Sequence, residues 1–463
     1  MRRFSPRLFA LGFTLGAIGA AAILAVNTYA STGTATRRSD STPTAPTQTP
    51  DQVIQWNRIL LGILRTPGAQ PVTVHPTRSM AIMHAAVYDA VNAIIKTHSD
   101  YLVHLRAPRH ASVAAAAATA AHDVLVQLYP SQTSILDADR AASLASIPDG
   151  PAKDQGARVG ATAAAQILSR RSSDGSAAPP IPFTPGTNPG DYQLTPPAFA
   201  QPVFTHWQFV TPFALRRADQ FRPGPPPALT SATYTAAFDE VRSLGEIGST
   251  TRTADQTQIA KFWGAPIQNY WNEIAQTAAL QHGTTLPQNA RLFALLDLSL
   301  ADSVIAFYDA KYTYRTWRPV TAIRAEGTAA AAALDATSDE DPAESSAAEF
   351  RPLAAEVDWT PLANTALDPS YPGAHAVVSA VGADVLASFF RSDHDSFAVT
   401  SEVLPGIERS FTSFSAAADE ASVSRIYAGQ HFRFDQVAGQ RLGRRIADYV
   451  LQNFLTSSTP GHH

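Results

Sequence analysis

The sequence predicts an all-α protein: a large helical-bundle molecule with long Pro/Gly-rich loops. Three observations predict it. Apolar residues recur at helical spacing in segment after segment. No sustained strand alternation and no fixed-period repeat competes with that pattern. The 34 Pro and 25 Gly among 463 residues point to many loops between elements. A chain of this length buries a core without a staple.

The elements follow in chain order. Residues 1–30 read as a signal peptide or membrane anchor. A charged start (MRRFSPRLF) leads into an apolar run from Leu8 to Val26, then small residues at Thr28 and Ala30. Arg2-Arg3-Phe4 hints at twin-arginine export, so the expected location is extracellular or cell-surface. An uncleaved run would be the one contact with a membrane. Residues 31–50, rich in Ser, Thr and Pro, read as a disordered linker. Helices are expected at Gln52–Leu64, Pro76–Lys96, Ser112–Leu128 and Asp154–Arg170, with Ser112 as an N-cap. Residues 174–228 are dense in Pro and Gly and should be extended loop. Helical signals return at Ser231–Leu244, Gln256–Phe262, Tyr270–Gln281 and Asn289–Tyr314. The low-complexity stretch 325–350 reads as a mobile insertion. Helices resume at Ala374–Phe390 and Gln430–Phe454. This divides the chain into an N-terminal helical part, 51–228, and a C-terminal helical bundle, 229–456.

Composition removes several functions. Lys+Arg number 35 against 39 Asp+Glu, a net charge of −4, which argues against a nucleic-acid partner. No cysteine is present, so disulfides, thiolate catalysis, Fe–S clusters and Cys-ligated zinc are excluded. H-E-x-x-H, a Walker loop and G-x-S-x-G are all missing. Zinc protease, nucleotide hydrolase and lipase-type readings go with them.

The chemistry sits in three C-terminal segments. The first runs from Lys311 to Arg318-Pro319. Seven residues at about 100° each bring Lys311 and Arg318 within about 20° of one helix face. Two cations near an element end suit an oxyanion, although a solvated basic face including Arg315 fits the same residues. The second is Pro369-Ser-Tyr-Pro-Gly-Ala-His375. Here a Pro-Gly turn opens a helix and puts His375 in its first turn. Backbone N–H groups at Gly373 and Ala374 would face an anion there. The helix end would also depress the imidazole pKa. A histidine simply packed at a helix end is the bland alternative. The third is Ser424-Arg425 through His431 to Asp435. Arg425 and His431 are six positions apart, so a continuous helix would not align them, and Gly429 offers a break. Asp435, four residues past His431, can orient the imidazole or pair with a cation.

In that order, K-x6-R-P, P-x-x-H and S-R-x5-H resemble the superfamily of vanadium-dependent haloperoxidases and type 2 phosphatidic acid phosphatases. The Tyr371-Pro372 turn, the run His431-Phe-Arg-Phe-Asp435 and the helix Met83–Ala90 resemble the haloperoxidase branch. The resemblance implies a helical fold of two packed bundles, with the oxyanion site in the second, and vanadate as cofactor. Lys311, Arg318 and Arg425 would cradle vanadate, with Gly373 and Ala374 as backbone donors. His431 would be the axial vanadium ligand, His375 the acid–base residue, and Asp435 a support. Hydrogen peroxide would oxidise a halide to hypohalous acid or halogenate a small organic acceptor. The alternatives are an acid phosphatase with a phosphohistidine at His431, and a non-catalytic oxyanion-binding protein. Self-association stays open.

Two departures stand out. Gly373 occupies the place of a family serine whose hydroxyl would bond the anion. A hydrogen bond to a charged group is worth about 1.5–3 kcal/mol, so tenfold or more in affinity is at stake. Fungal members carry aromatic residues where Tyr308 and Asp368 stand here, and an acid disfavours a halide. His84 reads as a satisfied core histidine, bonded to Asp89 or a neighbour. Trp317 and Trp359 read as packing groups, and Gly461-His462-His463 as a frayed tail.

Overall fold

The computed structural model describes residues 50–326 and 358–458. The N-terminal leader and most of the linker, the insertion at 325–350 but for its first two residues, and the terminal histidines lie outside them. The described residues are mainly helical, as expected. In order they form α1 (Gln52–Arg65), α2 (Pro76–Ile95), α3 (Val113–Leu128), α4 (Thr133–Ala145), α5 (Pro151–Arg171), α6 (Ala232–Gly245), α7 (Ala254–Phe262), α8 (Ile267–Gln281) and α9 (Leu286–Tyr314). Residues 319–326 are helical (α10). Then come α11 (Ala374–Phe390), β1 (His394–Thr400), β2 (Glu408–Ser413), α12 (Phe414–Tyr427) and α13 (Arg433–Asn453). None of the described helices is long and apolar enough to cross a membrane.

Helix starts follow the side chains. Asp51 accepts from the N–H groups of Val53 and Ile54, and His75 caps α2 ahead of Pro76. Thr253 and Gln256 close a reciprocal capping box on α7. Two helices are buried all round, α2 and the 29-residue α9, and they pack together. This is why both read as nearly continuous apolar runs. Met80 and Met83, on α2, are fully buried.

Four elements differ from the sequence reading, and the short helix at 319–326 is one of them. Thr133–Ala145 is a helix that buries only Leu136 and Ser143, too thin an apolar stripe to show in the sequence. Phe414–Tyr427 is a helix whose Ala/Ser-rich face carries little periodicity. An antiparallel hairpin joins β1 and β2, pairing Phe397 with Phe411. Each strand buries only two side chains, so alternation is too short to register. The long loop 174–228 is irregular as expected, apart from one 3-10 turn at Trp207–Phe209.

Buried carboxylates hold the loops. Asp89 on α2 accepts the N–H groups of Tyr101, Leu102 and Val103. Asp302 on α9 does the same for Phe213, Ala214 and Leu215. Asp89 is therefore committed to backbone, and His84 bonds Asn57 Oδ1 instead, at 3.0 Å. Trp317 and Trp359 are buried packing groups as expected.

Next to His84, Asp297 is fully buried and takes one hydrogen bond, from Asn272 Nδ2. Burial lifts its pKa from 3.8 to about 7 and lowers that of His84 to about 3. An acid whose folded pKa is raised destabilises the fold as pH climbs from the unfolded value to the folded one. Asp297→Asn should therefore gain stability over wild type progressively from pH 4 to pH 7, and hold a constant gap of about 2–4 kcal/mol above that. Urea unfolding across pH checks this. A gap that does not change with pH would refute it.

Two glycines on α13 let α11 approach closely. A Cβ on Gly439 would lie 2.6 Å from Gly373 O, and one on Gly443 would lie 2.3 Å from Val377 O. This contact sets the start of α11 beside the start of α13, and the site lies there.

Candidate oxyanion site

Lys311 sits in the last turn of α9 and is fully buried. The helix stops at Tyr314, because Arg315 turns left-handed at φ 48°. Arg318 is therefore not on the helix, and the shared helix face expected from the spacing does not exist. Asp368 joins the two cations instead. Its Oδ1 lies 3.3 Å from Lys311 Nζ and bonds Arg318 Nη2. The loop bearing it is held by Ser370 N–H donating to Thr316 O at 2.9 Å. Lys311 also donates to the carbonyls of Pro369 and Ser370. Arg318 donates to those of Asp368 and Gln430, at 2.8 and 2.9 Å. Burial, with Arg318 opposing Asp368, lowers the Lys311 pKa to about 8.

Arg425 lies in the last turn of α12, and its guanidinium is buried without a carboxylate partner. It donates to Ala260 O, Ser424 Oγ and Gln430 Oε1. Burial pulls its pKa down to about 10. Gly429 makes the expected break, at φ 76°. A Cβ there would lie 2.5 Å from Gly245 O, so the turn needs glycine twice over.

His431 occupies that turn, ahead of the N-cap Phe432, and not on a helix as the expected start at Gln430 implied. Its contact with Asp435 comes from the helix start. Asp435 reaches back so that Oδ2 accepts from Phe432 N–H and meets His431 Nδ1, both at 3.0 Å. Ser370 Oγ donates to the same oxygen at 2.6 Å. These partners place the proton on Nδ1 and leave the Nε2 lone pair toward Arg318 Nη1, 3.0 Å away. Burial first, then Arg318, Lys311, His375 and Arg425, hold His431 well below the usual histidine pKa. Burial raises Asp435 to about 6 against its hydrogen bonds and the cations.

His375 is in the first turn of α11, half-buried, with Nε2 3.1 Å from Trp263 O. That carbonyl takes the Nε2 proton and leaves Nδ1 as the basic nitrogen. Desolvation and then Arg425 depress its pKa well below 6.5. Gly373 corrects one expectation. Its N–H donates to Asp435 O at 2.9 Å, so it is not offered to an anion. Ala374, the first residue of α11, keeps its N–H at the helix start.

Of the expected residues, Arg318, His431 and Asp435 meet through direct contacts, Lys311 joins Arg318 through Asp368, and Lys311, Arg425 and His375 act on His431 through charge. Sequence reasoning missed the role of Asp368 as counter-ion to two cations, and could not place the Ser370 hydroxyl. It also missed an aromatic group beside Asp368. Phe204 packs edge-on to Trp207 and His75 and tilted against Tyr308, with centroids 5.3 to 5.7 Å apart. Phe204 and Trp207 come from the long loop, where no periodicity marks them.

The donor set suits an oxyanion. Three cations face two carboxylates and the Nε2 lone pair of His431. Among the described residues no group of three His, Asp or Glu could hold a bare metal ion. A metal that arrives as its oxyanion needs only one protein ligand.

Comparison with known proteins agrees with this geometry. Residues 291–458 match the family model described as the VCPO second helical-bundle domain. The fold is similar to that of a bacterial vanadium-dependent iodoperoxidase, at 24% identity and TM-score 0.72, covering 88% of this chain and 97% of that one. It is also similar to the holo form of a bacterial vanadium-dependent chloroperoxidase, at 15% identity and TM-score 0.64, covering 88% and 98%. The apo form of such a chloroperoxidase matches at 15% and TM-score 0.61, covering 84% and 95%. No curated protein matches the chain.

Proposed function

We propose that this chain, whose residues 291–458 match the model of the VCPO second helical-bundle domain, is an exported, vanadate-dependent haloperoxidase. The observation that carries the reading is the buried line Arg318–His431–Asp435, with Lys311 and Arg425 around it. Lys311, Arg318 and Arg425 would hold the oxyanion, and His431 Nε2 would be its one protein ligand. Bound there, vanadate supplies Lewis acidity that activates hydrogen peroxide toward a halide. Asp435 keeps the His431 proton on Nδ1, so that Nε2 stays unprotonated. His375, neutral with Nδ1 open, takes a proton from the incoming peroxide. Export rests on residues 1–30 alone.

Phe204, Trp207 and Tyr308 would form the face for the halide and a small organic acceptor. Asp368 beside that face disfavours an anion and leaves the most easily oxidised halide as the best substrate. Initial rates should fall in the order iodide, bromide, chloride. Chloride oxidised as fast as iodide would overturn that role for Asp368.

The test of the reading uses protein lacking residues 1–30, with and without orthovanadate. Bromination of a phenolic dye by peroxide is followed beside hydrolysis of a phosphate ester. Bromination that requires vanadate supports the haloperoxidase. Ester hydrolysis inhibited by vanadate, without bromination, makes the protein a phosphatase on the same residues.

A further inference from the structure

Gln436 is 2% exposed, and its Nε2 has no hydrogen-bond partner. A buried amide nitrogen left unbonded costs about 1–3 kcal/mol, so its position calls for an explanation. The other end of the amide is fixed: Oε1 accepts from Ser422 Oγ at 3.3 Å. The nitrogen lies over the start of α11. A Cβ built on Gly373 would stand 2.6 Å from Nε2 and 2.8 Å from Cδ and Oε1. The amide therefore fills the space that any side chain at position 373 would need. Gln436 directly follows Asp435, which holds His431, and Ala374 N–H opens α11 alongside.

We infer that the Gln436 side-chain amide donates the oxyanion hydrogen bond that a hydroxyl at position 373 would otherwise supply, and that Gly373 is glycine to admit it. Gln436 and Gly373 then form one unit: a small residue at the helix start and a neutral donor reaching across from α13. This rests on the oxyanion site proposed above, and it assigns a ligand-binding role to a residue outside the three motifs. The amide adds no charge, so the cation count stays as it was.

The experiment is isothermal titration calorimetry of anion-free protein with orthovanadate and, separately, with inorganic phosphate. Gln436→Leu should weaken both by about tenfold or more, the worth of one hydrogen bond to a charged group. Gly373→Ser alone should also bind weakly, because hydroxyl and amide compete for one space. Gly373→Ser combined with Gln436→Ala should regain affinity to within about threefold of wild type, since the donor is back and the space is free. A merely structural glutamine would give no such rescue. Circular dichroism confirms that each variant is folded. Wild-type affinity in Gln436→Leu, or no recovery in the folded double variant, overturns the inference. If His431→Ala abolishes binding while Gln436→Leu does not, the inference fails and the proposed function stands. If wild type binds vanadate through Gln436 but oxidises no halide, the reverse holds.

Discussion

His431→Ala should abolish vanadate-dependent bromination and remove measurable vanadate affinity. The imidazole is the one buried group in the cradle with a lone pair available to a metal, at Nε2. Its neighbours are already donors, and Asp435 is turned to the far side of the ring. The change at Asp435 sets the scale. Asp435→Asn should cost about 10- to 100-fold in affinity, the usual loss when the partner that orients a metal-bound histidine is removed. His431→Ala should cost more than that. Titration with orthovanadate beside the dye assay measures both. Equal bromination by folded His431→Ala would remove every enzymatic reading of the pocket.

Asp368→Asn should produce the second large effect, with opposite signs on two properties. In the anion-free protein Asp368 is the carboxylate between Lys311 and Arg318, both fully or almost fully buried. Neutralising it leaves two buried cations facing each other, a loss of about 3 kcal/mol or more. The carbonyls of Pro369, Ser370 and Gln430 still hold them, which keeps the loss at the low end. An added oxyanion restores the missing negative charge. The variant should thus unfold earlier than wild type in plain buffer, and recover most of the difference in orthovanadate. It should also bind vanadate more tightly. Urea unfolding with and without the anion tests this. A deficit that vanadate leaves unchanged would make Asp368 a structural residue only.

The three motif segments were legible because their chemistry lies in residue type: Lys and Arg before a proline, His after a Pro-Gly turn, Arg and His around a glycine. The geometry behind them was less so. Helical spacing brought Lys311 and Arg318 to one face, yet α9 ends at Tyr314 and an acid 57 positions from Lys311 does the joining. Asp435 was read as orienting His431, but it does so from the third position of a new helix and not along a continuous one. Gln436 carried no motif at all. Only the missing side chain at Gly373 marked its place, and only once α11 and α13 were seen to cross there. The hairpin and α4 escaped because each buries too few apolar side chains to set a period.

The burial of Met80 and Met83 bears on how long such an enzyme would survive its own chemistry. Hypohalous acid attacks sulfur before most other side-chain atoms, and exposure decides which sulfur reacts. This chain has no cysteine and only three methionines, one of them Met1. The other two are sealed on α2 with no exposed surface. A protein that releases an oxidant at its surface would then meet it with no accessible thiol or thioether in its folded body, and should lose activity through repeated turnover slowly.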